Sequence, residues 1–126
     1  MSLPNCLVVD NGAFSSCSAL TNIYIPKCTS LGNETFHSCP VVSLDLPELT
    51  GTDVSTFAFC SFLTSISVPK LTGNPGQYTF NCCYALPSIV LPKVSSLGSS
   101  IFRSCRALSA VYLLNNTTAS IYNYAF

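Results

Sequence analysis

The sequence predicts a solenoid of short tandem coils, each made of one brief β-strand and one irregular return, with the strands stacked in parallel along one side. Three observations predict it. A Phe is followed three residues later by Cys five times, at Phe14/Cys17, Phe36/Cys39, Phe57/Cys60, Phe80/Cys83 and Phe102/Cys105. Phe126 adds a sixth Phe, and the Phe-to-Phe steps are 22, 21, 23, 22 and 24 residues. Each Cys then opens an apolar-x-apolar stretch that closes, in four units of five, on Pro.

The elements follow in chain order. Met1 to Gly12 fit as the tail of a preceding unit, with Leu3-Pro4 matching Ile25-Pro26. The first unit reads Leu20-x-x-Ile23-x-Ile25-Pro26, and the second is one residue short, running from Cys39 to Leu44-x-Leu46-Pro47. That deletion predicts a bulge or a tightened turn near Pro40. The third reads Leu63-x-x-Ile66-x-Val68-Pro69 and the fourth Leu86-x-x-Ile89-x-Leu91-Pro92. The fifth reads Leu108-x-x-Val111-x-Leu113, with Leu114 in place of Pro. Apolar-x-apolar has the period of a strand, so alternate side chains face one interior and their neighbours face solvent. The Pro that follows has no N–H to donate and ends the pairing. The remaining dozen residues of each unit carry the Gly, Ser, Thr and Asn of turns, plus the Phe that returns to the core. One domain of about five repeats, each 21–24 residues long, therefore covers residues 1–126.

At this point a resemblance becomes specific. Leu20-x-x-Ile23-x-Ile25 followed three residues later by Cys28 resembles the leucine-rich-repeat core. Pro26, Leu31-Gly32, Phe36 and Cys39 resemble the BspA-like branch of that family, and Leu97-Gly98-Ser99-Ser100-Ile101-Phe102 repeats the return. The resemblance implies a leucine-rich-repeat solenoid: a right-handed superhelix, β-rich α/β in class, with a parallel β-sheet on one side and little helix. At strand spacings of about 4.8 Å its coils span only roughly 25–30 Å. The family's Asn/Cys ladder position reads Cys6, Cys28, Leu49, Leu71, Val94 and Asn116, so apolar packing must replace a polar ladder in the middle coils.

Composition narrows the function. Apolar residues make up 48% and charged residues 8% of the chain, so there is ample surface to bury and disorder is excluded. Five basic residues balance five acidic ones, which gives no field that favours nucleic acid or an anionic membrane. No apolar stretch approaches the length of a bilayer span, so membrane insertion is not expected. Met1-Ser2-Leu3-Pro4 has no positive n-region or h-region, and neither end carries a polar capping unit. These features predict a piece of a larger protein whose open ends pair in isolation, as a dimer or an end-to-end stack.

The eight cysteines allow 105 disulfide pairings, yet Cys17, Cys39, Cys60, Cys83 and Cys105 share one column with parallel Cβ vectors. A ladder of small buried thiols is the reading preferred here. Cys82 stands in the column Ser16, Ser38, Phe59, Cys82, Ser104, which predicts that it lies nearer solvent than its neighbour Cys83 and reacts first with a thiol reagent. No C-x-x-C pair offers a metal site, and no cofactor is implied. His37, two residues before Cys39, lies in the column of Ser15, Ala58, Asn81 and Arg103 and reads as a surface histidine rather than the base of a Cys–His pair. Asp45 and Glu48 lack the paired geometry of glycoside hydrolysis, and no nucleophile or phosphate-binding motif occurs. An enzyme is not expected, and no catalytic residue is assigned. The sequons at Asn33, Asn115 and Asn116 arise easily in a Ser/Thr/Asn-rich repeat.

Leucine-rich-repeat solenoids commonly bind through the concave sheet. The outward positions here are Asn22, Ser43, Ser65, Ser88 and Ala110 in one column and Tyr24, Asp45, Ser67, Val90 and Tyr112 in the next. Past the prolines follow Lys27, Glu48, Lys70, Lys93 and Asn115. The Tyr24 column is the candidate ligand-binding surface, with Tyr24 and Tyr112 as aromatic anchors, though Tyr is also a good strand residue in its own right. The resemblance implies a non-catalytic protein-binding or adhesion module of a bacterial cell-surface or secreted protein, its partner a protein or glycan on host or neighbouring cells. A structural or receptor-binding part of a phage tail, carried on the virion, is the alternative.

Overall fold

A computed structural model describes residues 1–114, 120–121 and 125–126. In chain order its strands are β1 (Val8–Val9), β2 (Ser30–Leu31), β3 (Ser43–Asp45), β4 (Gly51–Thr52), β5 (Ser65–Ser67), β6 (Thr72–Gly73), β7 (Ser88–Val90), β8 (Lys93–Val94), β9 (Ser96–Leu97), β10 (Ala110–Tyr112) and β11 (Ser120–Ile121). Every strand pair is parallel, and no helix occurs among the described residues. The chain is a β-solenoid of about five turns, as the repeat predicts.

The strands form two tracks. The first is the predicted one, where β3 pairs with β5 and β7 with β10, and an isolated bridge joins Ser2 to Tyr24. Its pairing is discontinuous in an instructive way. Ser2↔Tyr24, Asp45↔Ser67 and Val90↔Tyr112 are all 22 residues apart. Among the described residues no pairing joins Tyr24 to Asp45 or Ser67 to Val90, where the steps are 21 and 23. In this track the ladder lapses at the two steps that differ from 22, although 21-residue steps pair elsewhere, as Ser30↔Gly51 does.

The shortened second coil is tightened, as expected from its missing residue. In the other coils a Leu N–H three residues past the Cys bonds back to it, as from Leu20 to Cys17 at 2.9 Å and from Leu63 to Cys60 at 3.1 Å. In the second coil Val41, two residues past Cys39 and after Pro40, fills that inner position and is fully buried.

The second track, just past the prolines, was not foreseen in the sequence. It comprises β1-β2-β4, β6-β8 and β9-β11. Its strands are two residues long, too short to show alternation, and some turn one side chain inward, as Val9 and Leu31 do.

The return carries a further ladder that needs no strand. Phe14, Phe36, Phe57 and Phe80 donate their N–H to the carbonyls of Thr35, Thr56, Thr79 and Ile101 in the next coil, at 2.8–3.0 Å. Positions two residues before and after each Phe do the same: Glu34 donates to Val54 and Ser38 to Ala58. These flanking positions adopt left-handed backbone in every coil. The earlier column is Gly12, Glu34, Ser55, Tyr78 and Ser100, at φ of 54–63°, and the later is Ser16, Ser38, Phe59, Cys82 and Ser104, at 57–61°. Left-handed backbone costs a non-glycine residue about 1–2 kcal/mol. The cost recurs because it turns alternate N–H groups outward to the next coil and the others inward, as in Ser15 to Gly12 and Cys17 to Phe14.

The core is columnar. Phe14, Phe36, Phe57, Phe80, Phe102 and Phe126 form one stack, with ring centroids 5.4–5.8 Å apart and planes within 20° of parallel. Beside it Thr35, Thr56 and Thr79 are fully buried and give their hydroxyls to return carbonyls, as Thr56 Oγ1 does to Asp53 at 2.8 Å and to Gly32 of the preceding coil at 3.2 Å. Leu49 and Leu71 are fully buried and Val94 is 2% exposed, so apolar packing does replace the polar ladder in the middle coils. Cys6 and Cys28, in the same column, give their thiols to Val8 and Ser30 carbonyls at 3.3 Å each. Asn116 of that column, and the sequons at Asn115 and Asn116, lie outside the described residues.

Candidate functional site

The first strand track places all five predicted surface residues side by side and outward. Tyr24 is 56%, Val90 46% and Tyr112 52% exposed, and Asp45 and Ser67 are exposed too. They point out because the residues that flank them point in: Ile23 and Ile25, Leu44 and Leu46, and Ile89 and Leu91 are all 5% exposed or less. Asp45 opposes Ser67 and Val90 opposes Tyr112 in paired strands, so the column is straight where the ladder holds. Asn22, Ser43, Ser65 and Ser88 form the exposed neighbouring column, with Ala110 half-buried at its end.

Past the prolines the charged column pairs by the same rule. Lys27 Nζ donates to Asn5 Oδ1 at 2.9 Å, and Lys70 Nζ to both Glu48 oxygens at 2.7 and 2.8 Å; each pair is 22 residues apart. Both partners of the ion pair are nearly half exposed, so it contributes at most about 1 kcal/mol. Its consequence is local neutrality. Lys93 is exposed at the next step, and Asn115 lies outside the described residues.

The other chemically interesting residues do not assemble. Cys39 gives its thiol to the Phe14 carbonyl at 2.7 Å, not to His37. His37 is half-buried, its Nδ1 3.0 Å from Ser38 Oγ and its ring 5.2 Å from that of Phe59. Its column is therefore less exposed than the sequence implied, since Ala58 within it is buried. Glu48 is engaged by Lys70, apart from Asp45. Among the described residues no three His, Cys, Asp or Glu side chains gather as a metal-binding group. Asn33, the first sequon, accepts the Val54 N–H at its Oδ1 at 3.1 Å, and its Thr35 is fully buried.

The cysteine column has a definite chemical role. Cys39, Cys60, Cys83 and Cys105 donate their thiols to the carbonyls of Phe14, Phe36, Phe57 and Phe80, one coil back, at 2.7–3.3 Å. All eight cysteines are free. Burial pushes the Cys60 thiol up to about 12 and the Cys105 thiol up to about 11, and raises Cys28, Cys39 and Cys83 as well. Thiolates are disfavoured at these five positions, where the thiols support the fold through their hydrogen bonds.

The expectation for Cys82 needs correcting. It is nearer solvent than Cys83, at 8% against 0%, but it is still buried, while Cys6, Cys17 and Cys105 are more exposed. Its left-handed backbone, φ 59°, turns the side chain toward Asn81, whose Oδ1 accepts its thiol at 3.3 Å.

No helix is long and apolar enough to cross a membrane among the described residues. No curated protein and no solved structure matches the chain. The family model of the BspA type leucine rich repeat region does match, in six copies over residues 7–126, and six is also the number of rings in the phenylalanine stack. With its Phe–Cys columns, its parallel strand tracks and that match, the chain belongs to the BspA-type leucine-rich-repeat family.

Proposed function

We propose that the chain is a non-catalytic binding module of a cell-surface or secreted protein, engaging a protein or glycan partner through the Tyr24–Asp45–Ser67–Val90–Tyr112 column. The coarser part of this reading, a repeat protein with a protein-binding role, is what the family suggests. One observation supports the choice of this column: five outward side chains from successive coils lie in one exposed row, with Tyr24 and Tyr112 more than half exposed. Exposed tyrosines combine apolar area with a hydrogen-bonding tip, which suits contact with a partner. The column carries a single charge, Asp45, so recognition rests on shape and hydrogen bonds rather than on electrostatic steering.

The test is a binding screen of the chain against matrix proteins, mucins and glycans, with the double variant Tyr24→Ala/Tyr112→Ala beside the parent. Loss of about tenfold or more in affinity supports the column as the site. A partner bound equally well by the double variant rules it out. Self-association through the open ends is a separate proposal, read from sedimentation at high concentration, and a monomer at all concentrations refutes it.

A further inference from the structure

The strand face differs along its length at one seam. In three places the N–H just past the strand closes on the strand-end carbonyl of the next coil: Leu3 to Tyr24, Leu46 to Ser67 and Leu91 to Tyr112, at 2.8, 2.9 and 2.8 Å. The equivalent bond from Val68 to Val90 does not form, although the two strands remain adjacent. A hollow of about 240 Å³ lies at that spot, lined by Ile66, Ser67, Val68, Pro69, Val90 and Pro92. Ile66 is half-buried, as Val111 is in β10, whereas Ile23, Leu44 and Ile89 of the same column are 5%, 3% and 2% exposed. The seam between the first and second coils also lacks the bond, from Ile25 to Asp45, but there both Ile23 and Ile25 stay buried. The third coil's extra residue, in the return between Leu71 and Phe80, sets the two strands 23 residues apart and leaves the seam open.

Two complementary features therefore meet at one place. The walls are apolar and carry no charge, and the Val68 N–H and the Val90 C=O, on two residues that line the hollow, do not bond each other. An apolar side chain borne on a polypeptide matches both, because its own amide groups can bond the open backbone positions. The hollow is smaller than the roughly 300 Å³ at which sites for drug-sized ligands begin, so one side chain fills it. Of the lining side chains only Ser67 is polar, which favours a phenylalanine-like group over a charged one.

The geometry points to this seam as an anchor pocket that takes one phenylalanine-sized apolar side chain of a protein partner, its neighbouring amides bonding to Val68 and Val90. The inference deepens the proposed function and rests on the strand face being the binding surface.

The test titrates N-acetyl-phenylalanine methylamide into the isotope-labelled full chain, with N-acetyl-alanine methylamide as the control, and follows amide shifts by NMR. The expected result is saturable shifts at Ile66, Val68, Val90 and Leu91, with a Kd of about 1–10 mM, and no saturation by the alanine compound. Val90→Glu, at an exposed wall, weakens the phenylalanine compound about tenfold. Ser67→Trp, which fills the hollow from the other wall, abolishes the response. Val8→Glu, at an exposed position of the other strand track, leaves it unchanged. Equal response to both compounds, or unaltered binding by Val90→Glu and Ser67→Trp, overturns the pocket. If Tyr24→Ala/Tyr112→Ala loses a partner while the phenylalanine compound never binds, the pocket fails and the strand-face reading stands. If the compound binds as expected while that double variant keeps its partner, the two tyrosine anchors are ruled out and the pocket at Val68 and Val90 stands.

Discussion

The thiol of Cys60 donates to the carbonyl of Phe36, one coil back, at 3.1 Å, and that carbonyl also accepts the N–H of Cys39 at 3.1 Å. The Phe and Cys columns are thus one device: each Phe fills the core while its carbonyl receives one bond from its own coil and one from the next. Cys60→Ala removes the second donor and leaves a small void. It should cost about 1–2 kcal/mol in urea unfolding, and a change within error of zero would show that the thiol bond contributes nothing.

The same burial makes stability depend on alkali. Cys60 and Cys105 titrate near 12 and 11 when folded, against an ordinary thiol value of 9.0, so the native state holds its thiol protons over an interval in which the unfolded chain has released them. A raised folded value means full stability below pH 9 and loss of stability from there up to the folded values. Each such buried thiol contributes a slope of up to about 1.4 kcal/mol per pH unit in that window. Urea midpoints should be flat from pH 7 to 8 and fall between pH 9 and 11. Cys60→Ala should make that fall shallower.

Thiol labelling of the native chain should follow burial. Cys6 and Cys17, only half-buried, react first in mass-spectrometric footprinting, and Cys60 and Cys83 react last. Cys82 labelled ahead of Cys17 would contradict this order.

The phenylalanine stack should be strongest in its middle. Phe57→Ala, between Phe36 and Phe80 and fully buried, is expected to cost about 3–5 kcal/mol. Phe126→Ala, whose ring is 63% exposed, should cost much less. Thermal unfolding of both variants checks the contrast.

Backbone conformation supplies a further pair of tests. Gly32 packs on Asn11, where an added Cβ would meet the Asn11 Oδ1 and lie 2.8 Å from the Asn11 backbone N, so Gly32→Ala should cost about 1–3 kcal/mol. Ser104 is exposed at φ 61°; Ser104→Val should lose about 1 kcal/mol or more, while Ser104→Gly should not.

The Phe–Cys columns and the period-two stretches were legible in the sequence because each repeats a strong chemical type at a nearly fixed step. That was enough to place the solenoid, the strand face and the exposed Tyr24 column. The left-handed columns were not legible: such backbone is usually marked by Gly or Asn, and here Ser, Phe, Cys, Glu and Tyr occupy it under the constraint of stacking. The threonine column left a faint signal, Thr before Phe at 35, 56 and 79, broken by Ala13 and Ile101. The seam at Val68 and Val90 depends on where one inserted residue takes up its slack. A count of spacings records the insertion but not that geometry.

The account depends on each coil resting on the next, and the ring contacts of the phenylalanine column report this most directly. In side-chain NOE spectra of the full chain, contacts should run from Phe14 to Phe36, Phe36 to Phe57, Phe57 to Phe80 and Phe80 to Phe102, with no contact skipping a ring. Rings whose contacts fall on residues unrelated by this succession would contradict the stacked-coil architecture and the binding face built on it.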